Sequence, residues 1–300
     1  MKARSSFSRL GDKTNGYWHQ NLDDCLFYGE IMKGVKIAKI LFEEYKNRKG
    51  IFKNLLPPEY SLPKNVKIGS KEHLLFITLH VAIDYRKDAE KLWKSAKDLF
   101  ENQNTRWIYN PEKVNSNYNK LIDCFEANFK IANFVDIAIW YRICRTIAEE
   151  FESDPTNILK INNYDAIKII QFLQNRKNKK KFPFLSGPKI SSLWIRMLNE
   201  VAKIKMKNLK EVSIPVDVHI ARATYRLGLI NGKFIKLNNE TRRKVISLWR
   251  NICSNIDIYP LQLDEPLWLL SRNGCSNAKT NKKCPLFKEC PVKEFCKYSG

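Results

Sequence analysis

Glycine is scarce in this chain, at 11 of 300 residues, and strict alternation of apolar with polar residues is nearly absent. Both deficits exclude an architecture built on strands and tight turns. No apolar run reaches the about 18 consecutive residues that a membrane span requires. The best run, 74–83, is one buried helix long and contains His80. The basic start, Met1-Lys2-Ala3-Arg4-Ser5-Ser6, is followed by no apolar h-region, so no secretory signal is legible. Acidic residues are outnumbered: 31 Asp and Glu stand against 53 Lys and Arg, a formal net charge of +22. These absences predict a soluble, cytoplasmic chain with no membrane partner. Its excess of cations attracts polyanions and can replace counterions along a phosphate backbone.

What is present is apolar periodicity of the helical kind. The hydrophobic fraction, 44%, is enough for a folded core, and the length allows two subdomains. Helices are expected over 21–47, 71–101, 115–130, 133–152, 163–176, 189–206, 217–228, 239–254 and 263–271. Asn163 and Asp217 each precede an apolar run and suit helix starts. The proline-rich stretch 55–63 reads as a linker after an N-terminal helical arm. The predicted fold class is therefore all-α.

Three features carry chemistry. The first is the stretch Phe182-Pro183-Phe184-Leu185-Ser186-Gly187-Pro188-Lys189-Ile190-Ser191-Ser192, between two helical segments. Gly187 tolerates a positive φ at a sharp turn, and Pro188 suits the first turn of a helix. The free N–H groups at that start can hold a phosphate. The alternative is an ordinary turn between packed helices. Just ahead of it, 176–181 carries five positive charges in six residues, including Lys179, Lys180 and Lys181. That run is either a solvated loop or a set of phosphate contacts.

The second feature is Asp217, immediately before an apolar-periodic run. A carboxylate there is a good helix cap, and a fixed carboxylate can also stabilise cationic charge in a reacting sugar. The third is a set of four cysteines, Cys275, Cys284, Cys290 and Cys296, spaced C-x8-C-x5-C-x5-C among lysines. In a reducing compartment such a set reads as a metal site, either [4Fe–4S] or tetrahedral zinc. Cys25, Cys124, Cys144 and Cys253 lie apart in apolar surroundings and read as small core residues.

Hairpin, aspartate and cysteines stand in the order found in the helix-hairpin-helix (HhH-GPD) DNA glycosylases of the endonuclease III superfamily. Val216-Asp217-Val218-His219-Ile220-Ala221-Arg222 resembles the family's Val-Asp-Thr-His-Val-x-Arg, and Leu185 and Gly187 match its hairpin consensus. Leu267-Trp268-Leu269-Leu270-Ser271-Arg272-Asn273-Gly274 resembles the helix leading into the family's cluster loop. Of the cysteine spacers only the last agrees with the family's, and the first two are longer.

The resemblance spans about residues 70–300. It implies two helical subdomains, with residues 1–65 packing as an arm on 206–300, and 66–205 forming a helical barrel that carries the hairpin. It implies a base-excision repair enzyme, cytoplasmic and nucleoid-associated, acting as a monomer on double-stranded DNA. That enzyme flips a damaged or mismatched base and cleaves its N-glycosidic bond. Asp217 matches the family's catalytic carboxylate. Leu185, Ser186, Gly187, Pro188, Lys189, Ser191 and Lys179 to Lys181 fall where DNA is bound. Counted without a gap, Ser191 occupies the position that is lysine in the bifunctional members, which implies a monofunctional enzyme. With a hairpin two residues shorter, Lys189 takes that position, and an amine there can support a lyase step. The cysteines imply a [4Fe–4S] cluster, with zinc as the alternative. A non-catalytic DNA-binding protein, with Asp217 only a cap, remains a competing expectation. Trp107, Tyr109, Trp140 and Tyr141 are the aromatic candidates for stacking on a flipped base.

Overall fold

The computed structural model describes residues 15–232, 234–276 and 284–297, with side chains from residue 29 onward. The first residues of the expected N-terminal arm, the Cys25 side chain, and the loop lysines Lys279, Lys282 and Lys283 lie outside the described residues. Twelve α-helices occur among those described: α1 (Asn15–Lys46), α2 (Lys71–Ile83), α3 (Ala89–Glu101), α4 (Pro111–Asn115), α5 (Tyr118–Asn128), α6 (Phe134–Glu150), α7 (Thr156–Ile161), α8 (Ala166–Gln174), α9 (Pro188–Glu200), α10 (Val218–Arg226), α11 (Asn239–Cys253) and α12 (Asp264–Leu270). No strand is formed there, and one isolated bridge joins Asp165 and Lys207. The all-α reading holds.

Side-chain caps set several helix boundaries. The expected helix 71–101 is two helices, because α2 ends at Asp84 (ψ 62°) and Asp88 caps α3 by accepting from Lys91 N–H at 3.1 Å. Asn163 is not a cap. It sits at φ 55°, and Asp165 caps α8 instead by accepting from Ile167 and Lys168 N–H. Asn133 and Asp136 form a reciprocal capping box at the start of α6.

The helices bury two apolar cores. One is built from α2 to α9 and gathers Phe76, Trp93, Phe100, Trp140 and Trp194. Its centre is His80, whose ring lies 5.1 Å from Trp140 and 5.6 Å from Tyr109. Nδ1 of His80 lies 2.8 Å from Phe76 O, and Nε2 lies 3.2 Å from the Tyr109 hydroxyl. Burial pushes this imidazole down to about 3, so it packs uncharged. The second core combines α1 with α10, α11 and α12. Here α1 presents Ile31, Val35, Ala38, Leu41 and Tyr45 at helical spacing. Gly34 permits the close crossing of α1 over α11, since a Cβ at that position would overlap the Ile252 side chain.

The two cores are pinned together by a buried ion cluster. Arg196 of α9 reaches Glu59 at 2.5 Å, Asp264 at 3.0 Å and Glu265 at 2.7 Å. The hydroxyls of Tyr45 and Tyr60 donate to Glu265 at 2.6 and 2.8 Å. Glu59 comes from the proline-rich stretch, which forms the short 3₁₀ turn Pro58–Tyr60 rather than a free linker. Burial pushes the Asp264 carboxyl up to about 7, against the pull of Arg196. One guanidinium thus serves three carboxyl groups away from water. Arg196→Met is expected to cost about 3–5 kcal/mol, because it strands buried carboxylates without a counter-charge. A lowered urea midpoint would show the loss, and adding Glu59→Gln should restore part of it.

Candidate active site

Between the two cores lies a narrow cleft of about 50 Å³, lined among others by Asp84, Lys189, Arg196, Asp217, Asp264 and Trp268. Five helices (α3, α9 and α12, with α2 and α10 through their caps) and the turn holding Glu59 contribute to it. Asp217 enters from the second core as the cap of α10. Its Oδ1 accepts from His219 N–H at 2.8 Å and from Ile220 N–H at 2.9 Å. These bonds lock the side chain and leave the other oxygen without a hydrogen bond among the described residues. Capping and orientation are therefore one arrangement.

Lys189 enters from the first core as the second residue of α9. No carboxylate forms an ion pair with it among the described residues. Ser191 faces elsewhere. It is fully buried, with its hydroxyl 3.4 Å from Pro188 O and 3.2 Å from the Gln174 side-chain nitrogen. The cleft thus contains the amine of Lys189 and not the hydroxyl of Ser191.

The hairpin differs from its sequence reading in one respect. Gly187 has φ −67°, an ordinary extended value, and the left-handed position belongs to Phe184 at φ 61°. What Gly187 supplies is room, since a Cβ there would lie 3.0 Å from Phe184 O. Leu185 and Ser186 are buried, and the N–H groups of Leu185, Ser186 and Gly187 are spent on the carbonyls of Pro183, Phe182 and Phe184. The N–H groups without a carbonyl partner at this start are those of Lys189 and Ile190, in the first turn of α9. Of the preceding basic run, Lys179 and Lys180 are exposed, whereas Lys181 pairs with Glu150 at 2.6 Å.

Two residues of the cleft escaped the sequence reading. Asp84 ends α2, and no group among the described residues hydrogen-bonds its carboxylate. Burial pushes its carboxyl up to about 6, while Lys189 pulls it down and Glu59 and Asp217 reinforce the rise. Its sequence signal was a lone acid closing an apolar run. Trp268 lines the cleft from α12, and its ring stands 5.6 Å from that of His219. The four aromatics expected at a base pocket lie elsewhere. Tyr109 and Trp140 belong to the core around His80, Trp107 lines a separate depression, and Tyr141 stacks on Tyr118 at 4.5 Å. His219 is structural in its contacts. Burial lowers its imidazole, and Nδ1 lies 3.2 Å from the Ser276 hydroxyl.

Cys275 closes the turn that directly follows α12. Cys275 is buried, and Cys284, Cys290 and Cys296 are partly exposed. Burial, followed by the charges of Cys284, Cys296 and Cys290, pushes the Cys275 thiol up to about 12. A Cβ on Gly274 would lie 3.3 Å from Cys284 Sγ, so that glycine lets Cys284 approach the backbone closely. Among the described residues no three His, Cys, Asp or Glu side chains converge tightly enough to hold a metal ion. No helix among them is long and apolar enough to cross a membrane.

The sequence model of the family AGOG, described as N-glycosylase/DNA lyase, matches residues 44–298. No curated protein matches the chain.

Proposed function

The chain belongs to the AGOG family of N-glycosylase/DNA lyases, and on that premise we propose that it excises a damaged base from duplex DNA through a covalent bond between Lys189 and the sugar. Family membership makes it a DNA N-glycosylase of base-excision repair. One observation carries the finer reading: an amine without an ion pair among the described residues and a carboxylate locked in place line the same cleft.

In the proposed sequence the amine of Lys189 attacks C1′ through its nitrogen lone pair. The bond from C1′ to the base breaks, and its electron pair leaves with the base, which takes up a proton. Asp217 stabilises the positive charge that develops on the sugar as the base departs. The ammonium formed on Lys189 gives up a proton, and Asp84 is the acceptor this reading assigns. The C1′–O4′ bond then breaks, O4′ takes up a proton and an iminium is left on Lys189; loss of a proton from C2′ supplies the electron pair that expels the 3′ phosphate. Ser191 is too deeply buried to take part, so the lyase reading is preferred to the monofunctional one. The cleft is too small for a base as it stands, which supports a mechanism in which the cleft mouth opens as the nucleotide is everted. The net charge of +22 suits the phosphate contacts this requires. The test is a panel of duplexes, each carrying one defined lesion. The expected result is a nicked strand from at least one of them, and a chain that binds all of them and cuts none would favour the non-catalytic alternative.

For the cysteines we propose a [4Fe–4S] cluster held by Cys275, Cys284, Cys290 and Cys296. Four cysteines in one short C-terminal segment, spaced C-x8-C-x5-C-x5-C, suit that donor set. When bound, the cluster staples the basic loop that carries Lys288 and Lys293. Protein purified without oxygen is expected to be brown, with about four irons and four sulfides per chain. Cys290→Ser should lose both iron and colour. Zinc without sulfide would replace the cluster by the tetrahedral alternative.

A further inference from the structure

Most large rings of the barrel core are fully enclosed, yet two aromatic residues beside the cleft stand in water. Tyr85 is 51% exposed and Phe184 is 39% exposed. Their rings face each other at 5.5 Å, tilted by 56°. Tyr85 directly follows Asp84, and Phe184 lies on the turn that leads to Lys189, so the pair bridges the two segments that bring those groups to the cleft. The Arg86 guanidinium lies over the Tyr85 ring at 5.1 Å.

The backbone forces this exposure. Phe184 holds φ at 61°, a region that bulky side chains rarely adopt. Its neighbours Phe182 and Leu185 are completely buried, and Gly187 N–H donates to Phe184 O at 2.8 Å. Both sides of the residue are thus anchored, and the ring between them is turned outward. Strain of this kind persists where the surroundings impose it, and it concentrates at working surfaces.

We infer that Tyr85 and Phe184 form a wedge that enters the DNA base stack where the damaged nucleotide leaves it. The inference rests on the proposed excision from duplex DNA. Eversion unstacks a base pair, and an apolar ring placed in the gap offsets that cost by stacking on the bases that remain. The occupant of the exposed pair is therefore a stack of nucleobases, drawn in by the guanidinium of Arg86. Neither ring reaches the sugar in this scheme, so both are positioning residues.

The test compares one lesion in a fully paired duplex with the same lesion in an unpaired bubble, where no eversion is needed. Tyr85→Ser removes one ring. Phe184→Asn removes the other while keeping a residue that tolerates the left-handed backbone. The double variant is expected to lose about 10- to 100-fold in single-turnover excision from the duplex, and to match wild type on the bubble. An equal fall on both substrates would assign the pair to the shape of the catalytic cleft and overturn the wedge. Unchanged excision from the duplex would also overturn it, while leaving the glycosylase reading intact. Wild type that excises from neither substrate would remove that reading and the wedge with it.

Discussion

Asp217→Asn is expected to lower the rate of base excision by about 100- to 10,000-fold while leaving DNA affinity and folding stability close to wild type. The substitution separates the two duties of this residue. Asparagine caps helices about as well as aspartate, so the bonds from His219 and Ile220 N–H persist and α10 keeps its start. What disappears is the negative charge that the proposed mechanism sets beside C1′. A carboxylate that served only the helix would therefore leave a variant with full activity, and single-turnover excision from the best duplex of the lesion panel reads the difference. A fall in melting temperature equal to that of Asp217→Ala would mean that the asparagine had not kept the cap, and would disqualify the comparison.

Lys189→Gln is expected to abolish borohydride trapping of the protein on lesion-bearing DNA, and Ser191→Ala is expected to leave trapping intact. Only an amine can form the iminium that borohydride reduces to a stable bond. Glutamine is nearly as good a helix former as lysine, so α9 should keep its first turn and its two free N–H groups. The pair of variants also decides between the two registers of the hairpin, since each register puts a different residue at the reacting position. Trapping that survives Lys189→Gln would assign the step to another amine. With Lys189 intact, the trapping rate should fall as the pH drops through about 6, where Asp84 becomes protonated and can no longer accept a proton. Asp84→Asn should remove that limb of the profile.

The parts legible in the sequence were those written in local patterns. Apolar periodicity marked α6, α9 and α11, and an acid before an apolar run marked Asp217 as the cap of α10. The rest depends on contacts between distant segments. Glu59 looked like part of a solvated linker, but its partner Arg196 lies 137 residues away. The break at 84–88 was hidden because the apolar pattern resumes in phase after it. Tyr109 and Trp140 were plausible base contacts by residue type, but the packing around His80 encloses them. Trp268 belonged to a stretch read only as the approach to the cysteines, and its place in the cleft follows from how α12 packs on α10 while Asp264 and Glu265 reach Arg196 of α9. The choice between Lys189 and Ser191 needed the direction of each side chain, which a single hairpin with an uncertain gap does not encode.

The guanidinium shared by Glu59, Asp264 and Glu265 has a consequence for how this enzyme can change. Arg196 and Asp264 form a wall of the cleft and, at the same time, the rivet between the two halves of the molecule. Mutations that reshape that wall to accept a different lesion loosen the rivet. New specificity should therefore arise in correlated steps, a substitution in the wall followed by a repair among its three acidic partners. The opposite face of the cleft, at Asp84, makes no such bond between the halves among the described residues, so a substitution there touches the proposed chemistry and leaves the rivet intact.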